Sequence, residues 1–88
     1  MDDDTLRKAC ARLKQGSDTM PWPDRRTLAR NLGEAMAHGT PRRMMLALLR
    51  LLAQDAKWEV RREVANTLLT LPLAEFQSLA AMLAHHTN

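Results

Sequence analysis

The chain has few of the residues from which β-sheets, disulfide frameworks and membrane spans are built. Only 3% of its 88 residues are aromatic: two tryptophans, one phenylalanine and no tyrosine. Strands depend on aromatic and β-branched side chains, so this scarcity disfavours a sheet. Cys10 is the only cysteine, which excludes an intrachain disulfide and favours a reducing compartment. We expect a cytoplasmic protein without a membrane partner, because no apolar run approaches about 18 residues and the acids at positions 2–4 oppose the basic start of a signal peptide.

Leucine, alanine and methionine dominate the hydrophobic residues, which make up 45% of the chain and favour helices. At this length the chain has room for one small all-α domain with a single core. Hydrophobic periodicity and capping signals predict about five helices, over residues 3–15, 23–38, 41–54, 57–71 and 72–85. The boundary before the third helix is the clearest, because Gly39 suits a C-cap, Thr40 an N-cap and Pro41 a first turn.

Residues 55–61 lie between two helical patterns and carry the most informative motif. A predominantly apolar helix precedes them, and Val60 and Val64 begin an apolar stripe in the helix that follows. Six positions separate Asp55 from Arg61. The loop carboxylate can therefore reach back to the first turn of the following helix, or across to the same place on a neighbouring helix pair. An acid here also accepts hydrogen bonds from the free N–H groups of a helix start.

A helix, a short acidic loop and a helix that begins with Val60 and Arg61 resemble a HEAT repeat over about residues 41–71. The resemblance implies an all-α, right-handed stack of antiparallel helix pairs, a HEAT-like α-solenoid, in which Asp55 and Arg61 tie successive repeats together. It divides the chain into a first, degenerate helix pair (1–39), a second, best-matching pair (40–71) and an unpaired or capping helix (72–88). If Asp55 and Arg61 pair, replacing both by alanine should cost less stability than the sum of the single replacements.

The two tryptophans indicate an internal repeat. Trp22 and Trp58 each stand just before the second helix of a pair, and each is followed three residues later by an arginine, Arg25 or Arg61. This alignment gives Arg25 the part of Arg61. The tryptophans either cap their helix pairs or are partly exposed anchors for a partner, as tryptophans often are at interface hot spots.

Charge is unevenly distributed along the chain, whose formal net charge is +3. Arginines cluster at the start of the second helix and again between positions 42 and 62, and in a HEAT-like stack the second helices line the concave face. A basic concave face would attract nucleic-acid phosphates in a salt-dependent way. Alternatively, interleaved acids such as Glu59 and Glu63 make ordinary ion pairs with the arginines. The candidate partner-binding residues are Arg25, Arg26, Arg42, Arg43, Arg62, Trp22 and Trp58.

The sequence holds no constellation that indicates catalysis. The acids at positions 2–4 are typical of a helix start. His85 and His86 are adjacent, so on a helix they point about 100° apart and do not easily share a metal ion. Cys10 lies on an apolar stripe, as a core residue does, and the three glycines are scattered and form no phosphate loop. We therefore expect neither an enzyme nor a bound cofactor or metal.

These observations predict a non-catalytic scaffold or adaptor that binds another protein, or further repeats of the same array, through a HEAT-like surface. Similar repeats occur beside signalling or catalytic domains in bacterial regulatory proteins, so the resemblance also implies a regulatory module. The alternative is a nucleic-acid-binding module with a basic concave face, and a third interpretation is a helical bundle that dimerises through its fifth helix. That helix offers more apolar surface than one neighbour covers. Either another chain or repeat covers it, or the helix itself caps the stack.

Overall fold

The computed structural model describes residues 2–15, 19–38 and 43–85. Over these residues the chain forms five α-helices and one clear 3-10 helix and has no β-strand, so the predicted all-α class is confirmed. The α-helices are α1 (Asp3–Lys14), α2 (Trp22–Ala37), α3 (Arg43–Ala53), α4 (Trp58–Thr67) and α5 (Leu73–Ala84), and the 3-10 helix (Leu68–Thr70) continues α4. The predicted boundary at Gly39, Thr40 and Pro41 lies outside the described residues.

Local sequence explains where several helices begin and end. The Asp2 carboxylate accepts a hydrogen bond from the Thr5 backbone N–H at 2.8 Å and so caps α1. Pro21 and Pro72 precede α2 and α5, where the fixed φ of proline suits the entry into a helix. The fourth helix is predicted to reach residue 71, but its α-helical part ends at Thr67 and tightens into the 3-10 turn.

Odd-numbered helices pack on odd-numbered helices, and the two even-numbered helices pack on each other. α1 packs on α3 and α3 on α5, while α2 packs on α4 through the most extensive contact within the described part of the chain. α3 also contacts α2 and α4, and α4 contacts α5. The protein measures 35 × 32 × 17 Å. Its smallest dimension corresponds to two helices in contact, whose axes lie roughly 8–10 Å apart.

α3 supplies the centre of the core, whereas α5 is only partly covered. The buried residues of α3 are Met45, Leu48, Leu49, Leu52 and Ala53. In α5 only Leu79 is buried, although the helix is apolar over most of its length. Leu69 and Leu73, at the turn into α5, are 91% and 71% exposed. A helix of this composition is usually buried on several sides, so the α5 end of the molecule has uncovered apolar surface.

Gly33 allows α2 and α4 to approach each other closely. A Cβ atom at Gly33 would lie 2.6 Å from Cγ2 of Thr67, well inside van der Waals contact. Thr67 is only 4% exposed, and its hydroxyl donates a hydrogen bond to the Val64 carbonyl at 2.7 Å, which holds the side chain in place. The glycine is therefore required by the helix contact.

Candidate functional site

Asp55, in the loop between α3 and α4, joins three parts of the chain. Its carboxylate accepts two hydrogen bonds from Arg25 of α2, from Nε to Oδ2 at 2.6 Å and from Nη2 to Oδ1 at 3.1 Å. Oδ1 also accepts the Lys57 backbone N–H at 2.9 Å, and the Asp55 carbonyl accepts Arg61 Nη1 at 2.6 Å. Of the two arrangements open to this carboxylate in the sequence, the structure has the one that crosses to a neighbouring helix.

Arg25 and Arg61 are bound in the same way to the segment that precedes their own helix. Arg25 donates from Nη1 to the Met20 carbonyl at 2.6 Å, as Arg61 does to the Asp55 carbonyl. The two arginines are 36 positions apart, and so are Trp22 and Trp58 at the first positions of α2 and α4. The starts of α2 and α4 are therefore built alike.

The structure corrects the place of Arg25 among the candidate partner-binding residues. Only 6% of its side chain and 8% of the Asp55 side chain are exposed. The start of α2 packs against the α3–α4 loop, and the guanidinium is bound to that loop and to Met20. A buried guanidinium needs these partners to offset its desolvation. Arg25 is therefore an internal link between elements and has no open face for a partner.

The two tryptophans differ in exposure. Trp22 is half-buried and packs against the core, and Lys57 Nζ lies 5.7 Å from the centre of its ring. This distance is within the range of a cation–π contact. Trp58 is 57% exposed. Trp22 is therefore partly covered at the start of α2, whereas Trp58 lies largely in the open at the start of α4.

The remaining candidate arginines lie on different faces of the molecule. Arg26 on α2 and Arg62 on α4 are exposed and line one hollow between these two helices. Arg43 is exposed on α3, where it lines hollows towards α1 and α5. Arg42 lies outside the described residues. The structure thus brings Arg26 and Arg62 together and places Arg43 elsewhere.

A groove runs along the contact between α2 and α4 and is formed by two adjoining pockets of about 230 and 240 Å³. We call it the α2–α4 groove. Glu63 and Asn66 line both pockets, so the two are continuous. Its charged lining residues are Arg26, Arg30, Arg62, Glu34, Glu59 and Glu63. The two signs are present in equal number, so the groove is not a basic surface.

Glu63 holds two of these arginines. Its Oε1 accepts Arg30 Nη2 at 2.9 Å and Arg26 Nε at 3.2 Å, and only 12% of its side chain is exposed. The hydrogen bond from Arg30 is the main reason why the pKa of the Glu63 carboxyl lies below its ordinary value, and the bond from Arg26 adds to it. Burial works in the opposite direction but does not reverse the shift. Both arginines therefore already have an acidic partner.

Glu59 also lines this groove and carries a hydrogen-bond acceptor that has no donor in the part of the chain that the structure describes. Its Oε1 atom is buried and has no hydrogen-bond partner within the described residues. A buried acceptor without a donor typically costs about 1–3 kcal/mol. Trp58 and Arg62 line the same pocket. The groove thus offers a ligand a guanidinium and an exposed indole, whereas Glu59 Oε1 lies beneath its surface.

From the sequence, Glu59 and Glu63 were recognisable only as acids interleaved with arginines, and Gly33 only as one of three scattered glycines. A glycine inside a helix costs about 1 kcal/mol relative to alanine, so Gly33 in the middle of a strong helical pattern was a usable signal of close packing. No comparable signal exists for Glu63, because its two partners belong to another helix.

Within residues 2–15, 19–38 and 43–85, no three or more histidine, cysteine, aspartate and glutamate side chains are grouped as metal ligands. None of the helices over these residues has the length and apolar character needed to cross a membrane. Comparison with protein-family models, curated proteins and solved structures gives no match for this chain.

Proposed function

We propose that this chain is a non-catalytic interaction module, a scaffold or adaptor built from HEAT-like helix pairs. The observation that carries the proposal is the buried Arg25–Asp55 ion pair, which ties the start of α2 to the loop before α4. Two further observations support helix pairs that stack side by side. The starts of α2 and α4 are built alike, and odd-numbered helices pack on odd-numbered ones while α2 packs on α4. In such a stack each pair buries its apolar face on the next, and the outer surfaces stay open to partners.

The α2–α4 groove is the surface through which we propose that a protein partner binds. Tryptophan and arginine, the residue types of Trp58 and Arg62, are both enriched in interface hot spots. A groove with balanced charges suits a partner that presents both signs in a fixed arrangement.

Nucleic-acid binding has less support in the same groove. A polyanion needs several arginines free to neutralise phosphates. Arg25 is buried in an ion pair, and Arg26 and Arg30 share Glu63. Glu59 and Glu34 would also repel a phosphate backbone that followed the groove.

Site-specific photo-crosslinking tests the proposal. A photoreactive amino acid at Asn66, which lines both pockets of the groove, should give a discrete protein adduct in a lysate of the source organism. The same amino acid at Arg50, exposed on α3, is the matched control and should not give this adduct. Trp58→Ala should lower the adduct yield at position 66 severalfold, because truncating a hot-spot tryptophan commonly costs about 2 kcal/mol or more.

Two results would overturn it. One is an equal adduct yield from positions 66 and 50, which would show that the groove is not a preferred surface. The other is an adduct that disappears after nuclease treatment, which would make nucleic acid the partner.

A further inference from the structure

We propose that the start of α4 docks a partner loop in which an acidic residue is followed, two positions later, by a lysine. The inference rests on the proposed interaction function and adds the kind of partner segment that this part of the module recognises. It follows from the way in which Arg25 and Trp22 are occupied at the start of α2.

One three-residue segment fills the start of α2. The Asp55 carboxylate binds Nε and Nη2 of Arg25, and Lys57 Nζ lies over the ring of Trp22 at 5.7 Å. The hydrogen bond from the Lys57 N–H to Asp55 Oδ1 folds the segment into a local turn. An acid and a lysine at this spacing therefore reach the guanidinium and the indole together.

Arg61 and Trp58 are the corresponding arginine and tryptophan at the start of α4. Arg61 uses Nη1 for the carbonyl of its preceding loop, as Arg25 does, and its Nε and Nη2 have no partner within the described residues. Arg61 is half-buried and Trp58 is 57% exposed. The groups that are occupied at α2 are thus open at α4 in the part of the chain that the structure describes.

The chemistry of the open groups selects the partner. Two N–H donors on one edge of a guanidinium match the two oxygens of a carboxylate. An exposed indole attracts an ammonium group. The arrangement of Asp55 and Lys57 on Arg25 and Trp22 also sets the order along the partner chain, with the acid first. A segment with the lysine first would place each charge on the wrong group.

The test uses the full chain, labelled with ¹⁵N, and two blocked hexapeptides of identical composition and charge. The first is acetyl-Ala-Gln-Asp-Ala-Lys-Ala-amide, and the second has the aspartate and the lysine exchanged. In NMR titrations the acid-first peptide should shift the Trp58 indole N–H and the Arg61 Nε–H signals and leave those of Trp22 and Arg25 in place. We expect it to bind at least about fivefold more tightly than the exchanged peptide.

Matched variants separate this site from general attraction between charges. Arg61→Lys keeps the charge but loses the two-pronged contact, and should weaken binding about tenfold. Arg50→Lys makes the same change at an exposed arginine on α3 and should leave the affinity unchanged. Trp58→Leu alters an exposed side chain and should weaken binding about threefold, which provides a second readout if Arg61→Lys folds poorly.

Equal affinity for the two peptides, or equal losses from Arg61→Lys and Arg50→Lys, would overturn the inference. Shifts confined to residues of the α2–α4 groove other than Trp58, or no shifts at all, would also overturn it. None of these results bears on the crosslinking at Asn66, so the proposed function stands or falls separately.

Discussion

The buried Arg25–Asp55 pair stabilises the fold only while both members are present. Removing a guanidinium and a carboxylate from water costs several kcal/mol for each ion. Here the two direct hydrogen bonds, together with those to the Met20 carbonyl and from the Lys57 N–H, offset that cost. Removing one member leaves the other charged and buried, which typically costs about 3–5 kcal/mol. The pair therefore specifies how α2 meets the α3–α4 loop.

We expect Asp55 to be coupled strongly to Arg25 and weakly to Arg61. Arg61 binds the backbone carbonyl of Asp55, which Asp55→Asn leaves in place. In double-mutant cycles based on urea unfolding, Asp55→Asn with Arg25→Met should show an interaction energy of about 1–3 kcal/mol. Asp55→Asn with Arg61→Met should show less than about 0.5 kcal/mol. The opposite ranking would mean that the carboxylate pairs within its own loop.

Glu63 should make the stability depend on pH in the acid range. The hydrogen bond from Arg30 lowers the pKa of this carboxyl in the folded state. Its contribution to stability is therefore fully present above the ordinary value of 4.5 and is lost as the pH falls through the lowered folded pKa. Glu63→Gln should reduce the free energy of unfolding at about pH 6, and should then lose less stability than the parent chain between about pH 5 and pH 2.5.

The control for this experiment keeps the Glu63 carboxyl and removes the arginines that lower its pKa. The double variant Arg26→Gln/Arg30→Gln should flatten the same part of the stability–pH curve, because both hydrogen bonds to Glu63 are gone. If Glu63→Gln kept the full acid sensitivity of the parent chain, other carboxyls would be responsible for it.

At the scale of helices, the boundaries were largely predictable and the pairings were not. The first helix is predicted over residues 3–15 and observed over Asp3–Lys14, and the second is predicted over 23–38 and observed over Trp22–Ala37. These boundaries were predictable because capping acids and prolines act on residues close to them in the sequence. The end of the fourth helix was missed by a few residues at a 3-10 turn. The sharing of Glu63 depends on the register of α2 against α4, which no local pattern encodes.

The close contact of α2 and α4 yields a test at this scale. Gly33→Ala would normally favour a helix by about 1 kcal/mol. Here we expect it to destabilise the protein by about 1–3 kcal/mol, because the new Cβ would lie 2.6 Å from Thr67 Cγ2. Thr67→Ser removes that methyl group and keeps the hydroxyl that binds Val64. In the background of Thr67→Ser, Gly33→Ala should therefore cost much less, as measured by thermal or urea unfolding.

A stabilising effect of Gly33→Ala in the parent chain would contradict the close approach. A penalty that persists unchanged in the Thr67→Ser background would place the strain somewhere other than the Thr67 methyl group.

At the scale of the whole molecule, different faces leave different groups uncovered. The α5 end exposes leucine side chains at positions 69 and 73, whereas the start of α4 exposes Trp58. The α2–α4 groove carries equal numbers of positive and negative side chains. The formal net charge of +3 is therefore not concentrated on the groove. A protein partner that matches shape and individual charges suits these surfaces better than a uniform polyanion.

Nucleic-acid binding should accordingly be weak and only shallowly dependent on salt. Each phosphate neutralised on duplex DNA contributes about −0.9 to the slope of log K against log salt. The five arginines first considered would together give a slope of about −4.5. Arg25 is buried, and Arg26 is bound to Glu63. By anisotropy with labelled duplex DNA, we expect a slope no steeper than about −2 and no binding at physiological salt.

Glu63→Gln releases Arg26 and Arg30 and should steepen the slope, whereas Glu75→Gln on α5 makes the same charge change away from the groove and should alter it less. A slope near −4.5 in the parent chain, with binding retained at physiological salt, would establish that the arginines are free and make nucleic acid the leading partner.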